Sequence, residues 1–285
     1  MDYFSDKITF VIFTYNEEKR IERVIKNLCQ FGQVLIADNK STDRTVEIAE
    51  KYGCKIYVRP ESCTYVESQQ MMDALASVID TPWLYWGFAD EMLDLATLIK
   101  INEVIESGEY DAISIDRKNY FWGQFCYDAY SARTNKIFKV GALDFSDNKI
   151  HGFGKLSSPD LKIFQLPDIY FVHHFISNTI ESYLNTINRY TNVEAGYNVK
   201  SRNRILSILR SFTEGYVRQY FINRGYRAGT AGLALVSIQI MYSIVKTLKT
   251  DERKLELTSV EIEKCNDVHR DRIISNLSFE DKKKA

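Results

Sequence analysis

Several features that mark common protein classes are scarce or missing in this sequence. The formal net charge is -1, with 37 basic and 38 acidic residues, so the overall charge does not attract nucleic acid. The five cysteines are scattered and show no paired metal-ligand spacing, which predicts reduced thiols in a cytosolic protein. The N-terminal apolar run is short and follows an acidic start, so it is not the pattern of a signal peptide.

The sequence also lacks the two glycine-rich loops that most often bind nucleotide phosphates. No G-x-G-x-x-G follows the first strand-like run, and no G-x-x-x-x-G-K-[ST] occurs anywhere. A dinucleotide-binding fold or a P-loop enzyme is therefore disfavoured. A bound diphosphate would need another source of positive charge, and a Mg²⁺ or Mn²⁺ ion held by a carboxylate such as Asp90 would supply it.

The first half of the chain alternates between strand-like and helix-like segments. Helical periodicity occurs at residues 17–30, 40–53, 65–79 and 95–105. Apolar runs rich in β-branched and aromatic residues predict five strands between and around these helices, at residues 7–15, 33–39, 54–60, 83–88 and 111–116. Single helices between strands predict parallel pairing in an α/β sheet, which binds ligands beyond the carboxyl ends of its strands.

Polar side chains stand at four successive strand ends. They are Thr14, Tyr15, Asn16 and Glu17 after the first strand, Asp38 after the second, Arg59 after the third, and Asp90 with Glu91 after the fourth. Because these ends meet at one edge of a parallel sheet, we predict a shared cleft. Polar turn residues are common in themselves, so the pattern alone leaves a purely structural interpretation open.

Three sequence blocks carry a resemblance to a known family. FVIFTYNEEKRIERVIKNL, VLIADNKSTDRTVEIAEKYG and WLYWGFADE together resemble family 2 glycosyltransferases of the GT-A fold, nearest the bacterial lipopolysaccharide-core β-glucosyltransferase branch. The Asp-x-x-Ser-x-Asp-x-Thr block of that branch is matched by Asp38, Ser41, Asp43 and Thr45. Weaker similarity continues through RKNYFWG and TNKIFKVG to about residue 250. The resemblance implies a Rossmann-like, mostly parallel sheet flanked by helices, with a C-terminal helical extension.

The resemblance also implies roles for individual residues. Asp90 corresponds to the metal-binding last aspartate of the family's Asp-x-Asp motif, and His151 is the second implied ligand of Mg²⁺ or Mn²⁺. Asp38 would accept the N3–H of a pyrimidine ring, which suits a carboxylate and favours a UDP-linked donor. The whole implied nucleotide pocket comprises Thr14, Tyr15, Asn16, Glu17, Asp38, Arg59, Gln69 and Gln70.

Two positions depart from the family pattern. Phe88 stands where the family has the first acid of its motif, and Gly152 stands where the branch commonly has an acid near the acceptor. An inverting transfer needs a general base, so the base must come from elsewhere. Glu91 and Asp116 are the predicted candidates. The same departures leave open a catalytically impaired protein that binds a sugar nucleotide without turning it over.

A pair of adjacent histidines, His173 and His174, follows the strand-like run DIYFV. Adjacent side chains on a strand point to opposite faces, so the pair cannot hold one ion between them. At most one of the two is expected to face the cleft. The alternative is that the pair begins the helix that follows.

The C-terminal third is predicted to be helical, in three helices separated near Ser201 and Gly225. Residues 201–250 contain eight basic residues and a single acid, Glu214. The uncharged stretch at residues 228–245 is marginal for crossing a membrane and is interpreted as a core or interfacial helix. The basic helices at 202–249 are expected to contact an anionic membrane surface, unless they pack on the sheet with their arginines toward water.

The sequence therefore predicts three parts, namely a nucleotide-sugar-binding catalytic domain at 1–175, a helical acceptor or membrane-proximal region at 176–250, and a charged tail at 251–285. The predicted function is inverting, metal-assisted transfer of a hexose from a nucleoside diphosphate sugar, UDP-linked by preference, to a cell-surface glycan or lipid-linked acceptor. The predicted location is cytoplasmic, peripheral on the inner face of the membrane. A peptide acceptor stays open. A sugar nucleotidyltransferase is disfavoured because TYNEEKR is not a glycine- and arginine-rich loop.

Overall fold

The structure is a computed structural model that describes residues 6–60, 66–148, 152–196 and 203–281. These residues form two compact units. The first unit comprises the described residues of Met1–Asn178 and Tyr216–Val236. The second unit comprises the described residues of Thr179–Gly215 and Ser237–Ala285. The predicted divisions after residues 175 and 250 concern functional parts, and they remain predictions.

A sheet of ten described strands forms the centre of the first unit. Its strands are β1 (Ile8–Thr14), β2 (Gln33–Asp38), β3 (Lys55–Val58), β4 (Trp83–Phe88), β5 (Glu91–Leu93), β6 (Ala112–Phe121), β7 (Gln124–Phe125), β8 (Ala132–Lys139), β11 (Ile163–Gln165) and β12 (Phe171–Ile176). A separate two-stranded ribbon pairs β9 (Leu143–Asp144) with β10 (Lys155–Leu156). The helices of this part are α1 (Ile21–Leu28), α2 (Thr45–Lys51), α3 (Gln69–Ala76) and α4 (Leu95–Ser107).

The strand order confirms the predicted mostly parallel α/β class. The main path runs β3-β2-β1-β4-β8-β6-β12-β5, and the first four strands pair in parallel with one another. β6 is parallel to β12, while β8 lies antiparallel between β4 and β6. The parallel strands β1, β2 and β4 therefore end at the same edge of the sheet.

Hydrophobic periodicity explains why these elements form. All seven residues of β1 are buried, as expected for a central parallel strand covered on both faces. Alternate residues of β1 enter the two hydrophobic clusters of the unit: Phe10 and Ile12 pack in one, and Val11 and Phe13 in the other. The four predicted apolar positions of α1 are all buried against the sheet.

Two predicted boundaries differ from the structure. The predicted helix at 65–79 is shorter within the described residues, where α3 covers Gln69–Ala76. The predicted fifth strand does not end at Asp116, because β6 continues to Phe121 and stays paired with β12 over that length. Asp116 is therefore a mid-strand residue of β6.

The second unit is helical, as predicted. It contains α5 (Ile180–Glu194), α6 (Arg204–Phe212), the later part of α7 (Gly229–Lys254) and α8 (Ser259–Asp281). Polar contacts join α5 to α7: Lys249 Nζ lies 2.6 Å from Asn188 Oδ1, and Lys246 Nζ lies 2.6 Å from Glu194 Oε2. A π-helical segment, Thr213–Ile222, and a 3-10 turn, Gly225–Ala228, precede α7.

Length and composition would allow the helix at Gly225–Lys254 to cross a membrane, but a buried core helix meets the same test. Five of its apolar side chains are nearly inaccessible to solvent, namely Ala231, Leu235, Val236, Ile238 and Ile240. This buried stripe fits the interpretation of the stretch as a core helix.

Candidate active site

The loops after β1 and β2 are joined by reciprocal hydrogen bonds. Asn16 N donates to Ser41 Oγ at 2.8 Å, and Thr42 N donates to Asn16 Oδ1 at 2.8 Å. Glu17 N donates to Thr45 Oγ1 at 2.7 Å. Asn16 has a left-handed backbone (φ 57°), a conformation that asparagine tolerates better than most residues. The two sequence blocks TYNEE and DNKSTDRT therefore fold into one structural unit.

Asp38 lies beneath these loops and is 1% exposed. Its Oδ1 accepts hydrogen bonds from Thr14 Oγ1 at 2.8 Å and from Ser41 Oγ at 2.6 Å, and its Oδ2 accepts one from Ser41 N at 2.7 Å. A carboxylate offers about four acceptor positions, so three are occupied and about one remains for a ligand. Contact of Asp38 with a pyrimidine N3–H stays a prediction, and that remaining position would have to serve it.

Replacement of Asp38 by alanine is expected to lower the free energy of unfolding by about 1–3 kcal/mol, because buried donors of Thr14 and Ser41 lose their acceptor. Urea unfolding measures this, with Asn39→Ala at the exposed neighbouring position as the control. The same variant should also lose UDP binding. Unchanged stability together with unchanged UDP binding would contradict both roles of Asp38.

Two further residues of the predicted nucleotide pocket, Tyr15 and Arg59, lie beside these loops. Tyr15 is 57% exposed, and the Arg59 guanidinium lies 5.9 Å from the centre of the Phe13 ring. Arg59 N donates to Asp38 O at 2.8 Å, which fixes the start of its loop beside Asp38. Tyr15 and Arg59 are thus placed at the predicted cleft.

The two glutamines of α3 differ from each other. Gln69 Oε1 accepts a hydrogen bond from Phe145 N at 2.9 Å, and Gln69 Nε2 donates to Asp73 Oδ1 at 2.8 Å. Gln69 is therefore engaged in holding another segment. Gln70 is exposed at the start of the helix. No direct role in nucleotide binding follows from the geometry of either residue.

Asp90 occupies the turn between β4 and β5, at the edge where β1 and β2 also end. Phe175 N donates to Asp90 O at 2.8 Å, which ties this turn to β12. The side chain of Asp90 reaches the same strand, because its Oδ2 lies 3.4 Å from His174 Nε2. The structure thus brings together a predicted metal ligand and a histidine 84 positions later in the chain.

The side chain of the neighbouring His173 points to the opposite face of β12, as the alternation of strand residues predicts. His173 Nδ1 lies 3.0 Å from Tyr120 Oη, and His173 Nε2 lies 3.5 Å from Asp94 Oδ2. Both histidines belong to β12, and α5 begins only at Ile180. The alternative that the pair begins a helix is therefore wrong, and one histidine alone contacts Asp90.

Asn119 of β6 determines how His174 meets Asp90. Asn119 Nδ2 donates to two backbone carbonyls, Tyr130 O at 2.9 Å and Ala129 O at 3.2 Å, so its Oδ1 must face the opposite way. That oxygen lies 2.8 Å from His174 Nδ1 and can only accept, which places a proton on Nδ1. His174 therefore turns its Nε2 toward the Asp90 carboxylate.

Basic groups surround the Asp90 carboxyl. Burial raises the pKa of Asp90, but the neighbouring His174, Arg20 and Arg117 outweigh burial, and the pKa lies below its ordinary value. Burial also raises the pKa of Glu17, which pairs with Arg20 at 2.8 Å and feels the negative charge of Asp90. This part of the cleft therefore favours bound anionic groups near Arg20 and Arg117 and an ionised carboxylate at Asp90.

The atoms of Asp90 and His174 fit one divalent ion. Cis ligands of an octahedral ion at about 2.1 Å lie about 3 Å apart, close to the 3.4 Å observed here. Within the described residues no group of three or more His, Cys, Asp or Glu side chains is arranged to hold a metal. Mg²⁺ is usually held through one or two carboxylates, with water and substrate phosphates completing the shell, so the imidazole nitrogen of His174 departs from that form. His151, the other predicted ligand, lies outside the described residues.

Glu91, one of the two predicted bases, is enclosed in a buried ion pair. Its side chain is 1% exposed and binds the ammonium of Lys136, which is 0% exposed. Glu91 Oε2 also accepts from Phe88 N at 3.2 Å, and Lys136 Nζ donates to Trp86 O at 2.9 Å. These contacts fix the turn that carries Asp90. The geometry gives Glu91 a structural role and no access to an acceptor, which corrects its assignment as a base.

Asp116, the other predicted base, forms a two-point ion pair with Arg133. Its oxygens accept from Arg133 Nε at 2.9 Å and from Arg133 Nη2 at 2.7 Å. Asp116 also lies three residues before Asn119 on β6, so the two side chains point to opposite faces about 10 Å apart along the strand. The ion pair with Arg133 gives Asp116 a structural role, and its assignment as a base stays a prediction.

Four residues of this region were missed by reasoning from the sequence: Arg20, Arg117, Asn119 and Lys136. Arg20 stands in the NEEKR block, and Arg117 and Asn119 stand in RKNYFWG, which carries only weak resemblance. Asn119 lies beyond the predicted end of the fifth strand at Asp116, so no strand position was assigned to it. No local signal marks Lys136, since its partner is 45 residues away.

The comparison with known families decides the class of this protein. The sequence model of glycosyl transferase family 2 matches residues 9–154, which is half of the chain. The chain belongs to glycosyl transferase family 2. The match covers β1 to the ribbon strand β9 and includes Asp38, Asp90 and Asn119, and it ends before His174. With this family membership, the observed sheet is the GT-A architecture that the resemblance implied.

Proteins similar to this chain in sequence or in structure include other glycosyltransferases. An uncharacterized glycosyltransferase of Rickettsia conorii is 26% identical over 273 residues, covering 90% of this chain and 94% of its own. A 4,4'-diaponeurosporenoate glycosyltransferase of Staphylococcus haemolyticus is 38% identical over 56 residues, 19% of this chain and 15% of that one. Among solved structures, S. aureus TarS 1-349 in complex with UDP-GlcNAc is 14% identical, covers 89% of this chain and 93% of that one, and has a TM-score of 0.43. The family membership makes this protein a glycosyltransferase.

Proposed function

We propose that this glycosyltransferase transfers a hexose from a UDP-linked donor, with inversion, to a cell-surface glycan or lipid-linked glycan of the lipopolysaccharide-core type. The observation that carries the proposal is the meeting of Asp90 with His174 at the edge where β1, β2 and β4 end. Family membership supplies the reaction class, and the pyrimidine preference rests on the carboxylate of Asp38 beneath the two joined loops.

Asp90 and His174 would hold a divalent cation, Mg²⁺ or Mn²⁺, in this proposal. The cation would neutralise the donor diphosphate and stabilise the leaving nucleoside diphosphate. Asn119 orients His174 by accepting a hydrogen bond from its Nδ1–H, which leaves Nε2 to bind the ion. Arg20 and Arg117 add positive charge near the phosphates. The buried pair of Glu91 and Lys136 keeps the turn of Asp90 in place.

A peripheral position on the inner face of a membrane belongs to the same proposal. A lipid-linked acceptor is confined to the bilayer, so an enzyme that binds the surface meets it more often. The basic helices at 202–249 are the part of the chain proposed to make this contact, since anionic lipids attract arginine and lysine near the surface.

Hydrolysis of a panel of nucleotide sugars tests the donor. We expect release of UDP from at least one UDP-sugar in the presence of Mn²⁺, and its loss when EDTA removes the ion. GDP-linked and dTDP-linked sugars provide the comparison within the panel. Turnover confined to purine-linked donors would contradict the assignment of Asp38, and EDTA-resistant turnover would contradict the metal assignment.

Replacement of Asn119 by leucine is expected to weaken Mn²⁺ binding in the presence of UDP about 10- to 100-fold, because the partner that fixes the tautomer and orientation of a metal-ligating histidine is lost. Calorimetric titration of Mn²⁺ measures the change, and urea unfolding checks that the variant is folded. Asn119→Asp keeps an acceptor for His174 Nδ1 but loses the donations to Tyr130 O and Ala129 O, so it separates the two tasks of Asn119 when its stability is measured as well. Equal Mn²⁺ affinity in the leucine variant would show that Asn119 does not position the ligand.

A further inference from the structure

The sequence of α6, RILSILRSF, separates apolar and polar residues into two faces. At 3.6 residues per turn, Ile205, Leu206 and Leu209 lie on one side, and Ser207 with Ser211 lie on the opposite side. A surface helix of a globular protein with this pattern normally packs its apolar side against the core and turns its polar side to water.

The structure places α6 the other way round. Ile205, Leu206 and Leu209 are 69%, 63% and 56% exposed, and we call these three residues the outward face. The two serines are partly buried, and none of the nine residues of the helix is fully buried. Burial of apolar area is the main favourable term in folding, so this orientation leaves an unsatisfied apolar surface on the second unit.

Charge distinguishes the partner that would cover this surface. α6 contains two arginines and no acid, and both arginines are exposed. Arg204 Nε contacts Asp251 Oδ2 at 2.7 Å within the same unit, while Arg210 lies beside the outward face. Asn203 caps the helix by accepting from Ile205 N at 3.1 Å, so the helix is ordered from its first turn. Apolar side chains bordered by arginine match the interface of an anionic bilayer.

The other exposed helix of the unit has a different charge pattern. α8 exposes Ile273 and Ile274, each at 63%. Between residues 259 and 275 it carries four acids and three basic residues, and Arg270 pairs with Glu263 at 2.6 Å and with Asp267 at 2.7 Å. Over these residues α8 therefore has no net positive charge, in contrast to α6, which makes α8 the internal control.

We propose that α6 is a membrane-docking helix, which inserts its outward face into the interfacial region of an anionic bilayer. The proposal rests on the peripheral membrane contact proposed above for residues 202–249, and it assigns that contact to one helix. The docking itself needs neither donor nor acceptor. A second copy of this chain and a protein partner are the competing occupants of the outward face.

Co-sedimentation with lipid vesicles tests the proposal on the full chain. Vesicles of equal parts phosphatidylcholine and phosphatidylglycerol are compared with vesicles of phosphatidylcholine alone. Wild type is expected to bind the anionic vesicles, and Leu206→Ser with Leu209→Ser is expected to lower the partition coefficient at least about tenfold. Arg210→Gln should reduce binding less and weaken its dependence on salt. Ile273→Ser with Ile274→Ser should bind as wild type does.

Several results would overturn docking by α6. Wild type could fail to bind anionic vesicles, the α6 variant could bind as wild type does, or the α8 variant could lose as much binding as the α6 variant. Self-association of wild type in sedimentation velocity that the α6 variant abolishes, without vesicle binding, would assign the outward face to a second copy. UDP-sugar hydrolysis measured on the same preparations separates the two proposals, since the α6 variant should retain hydrolysis and Asp90→Asn should retain vesicle binding.

Discussion

Replacement of Asp90 by asparagine is expected to lower the rate of sugar transfer about a hundredfold or more, because a bound cation contributes several kcal/mol of stabilisation to developing charge. Asparagine keeps the size of the side chain but removes the negative charge that balances the ion. The turn should survive, since Phe175 N bonds the backbone oxygen of Asp90 and not its side chain. The loss should therefore appear in Mn²⁺-dependent turnover and not in the free energy of unfolding.

Asp94→Asn is the matched control for this prediction. Asp94 lies four positions further on, and its Oδ2 lies 3.5 Å from His173 Nε2. Asp94 and His173 therefore form a carboxylate–histidine pair similar to that of Asp90 and His174. Asp94 also caps α4 by accepting from Thr97 N at 2.7 Å, and asparagine caps helices equally well. We expect Asp94→Asn to retain Mn²⁺-dependent turnover. Equal losses in the two variants would mean that Asp90 has no special place in metal binding.

Replacement of Lys136 by methionine is expected to lower the free energy of unfolding by about 3–5 kcal/mol, because it leaves the carboxylate of Glu91 buried without its main partner. Arg117, whose Nη1 lies 3.7 Å from Glu91 Oε1, makes only the longer of the two ion pairs of Glu91. Burial lowers the pKa of Lys136, and Glu91 opposes that shift, so the two charges depend on each other. Urea unfolding measures the change.

A double-mutant cycle isolates the pair. Glu91→Leu combined with Lys136→Met replaces both charges by apolar side chains, and such replacements of buried ion pairs are often neutral or stabilising. We therefore expect the double variant to recover most of the stability that the single Lys136→Met variant loses. Simple addition of the two single effects would show that the residues do not act as a pair. Full transferase activity in a fully folded Lys136→Met variant would show that the pair does not position Asp90.

Local pattern was enough to predict the parallel half of the sheet. β1, β2 and β4 are continuous apolar runs, and the spacing of Ile21, Val24, Ile25 and Leu28 defines α1 without reference to the rest of the fold. The position of Asp90 at the end of a strand followed from the same pattern. The alternation of strand residues also predicted that one histidine of the pair at most would face the cleft.

Contacts between distant segments could not be predicted in this way. TNKIFK gives no sign that Lys136 is buried, because its counter-charge stands on a different strand. Asp116 looked like a strand-end acid because the pairing of β6 with β8 and β12, which continues beyond it, is set by other parts of the chain. The choice between His173 and His174 likewise depends on the register of β12 against β5 and β6.

Phe88 is the clearest departure from the family pattern, and in the structure its ring packs against the buried Lys136. Its ring centre lies 5.0 Å from the ammonium of Lys136, a favourable arrangement of a cation over an aromatic face. The acid expected at this position is therefore replaced by a residue that packs on the buried ion pair. In the proposed metal site the second ligand would instead be His174 on β12.

The central claim is that Asp90 and His174 hold one divalent ion together with the donor diphosphate. Pulsed electron paramagnetic resonance of Mn²⁺ with UDP, on protein carrying isotopically labelled histidine nitrogen, reads directly whether a histidine is bound to the ion. The account predicts a histidine nitrogen coupling in wild type that is abolished in His174→Gln and retained in His173→Gln and His151→Gln. A coupling that survives in His174→Gln, or its absence from wild type, would contradict the account.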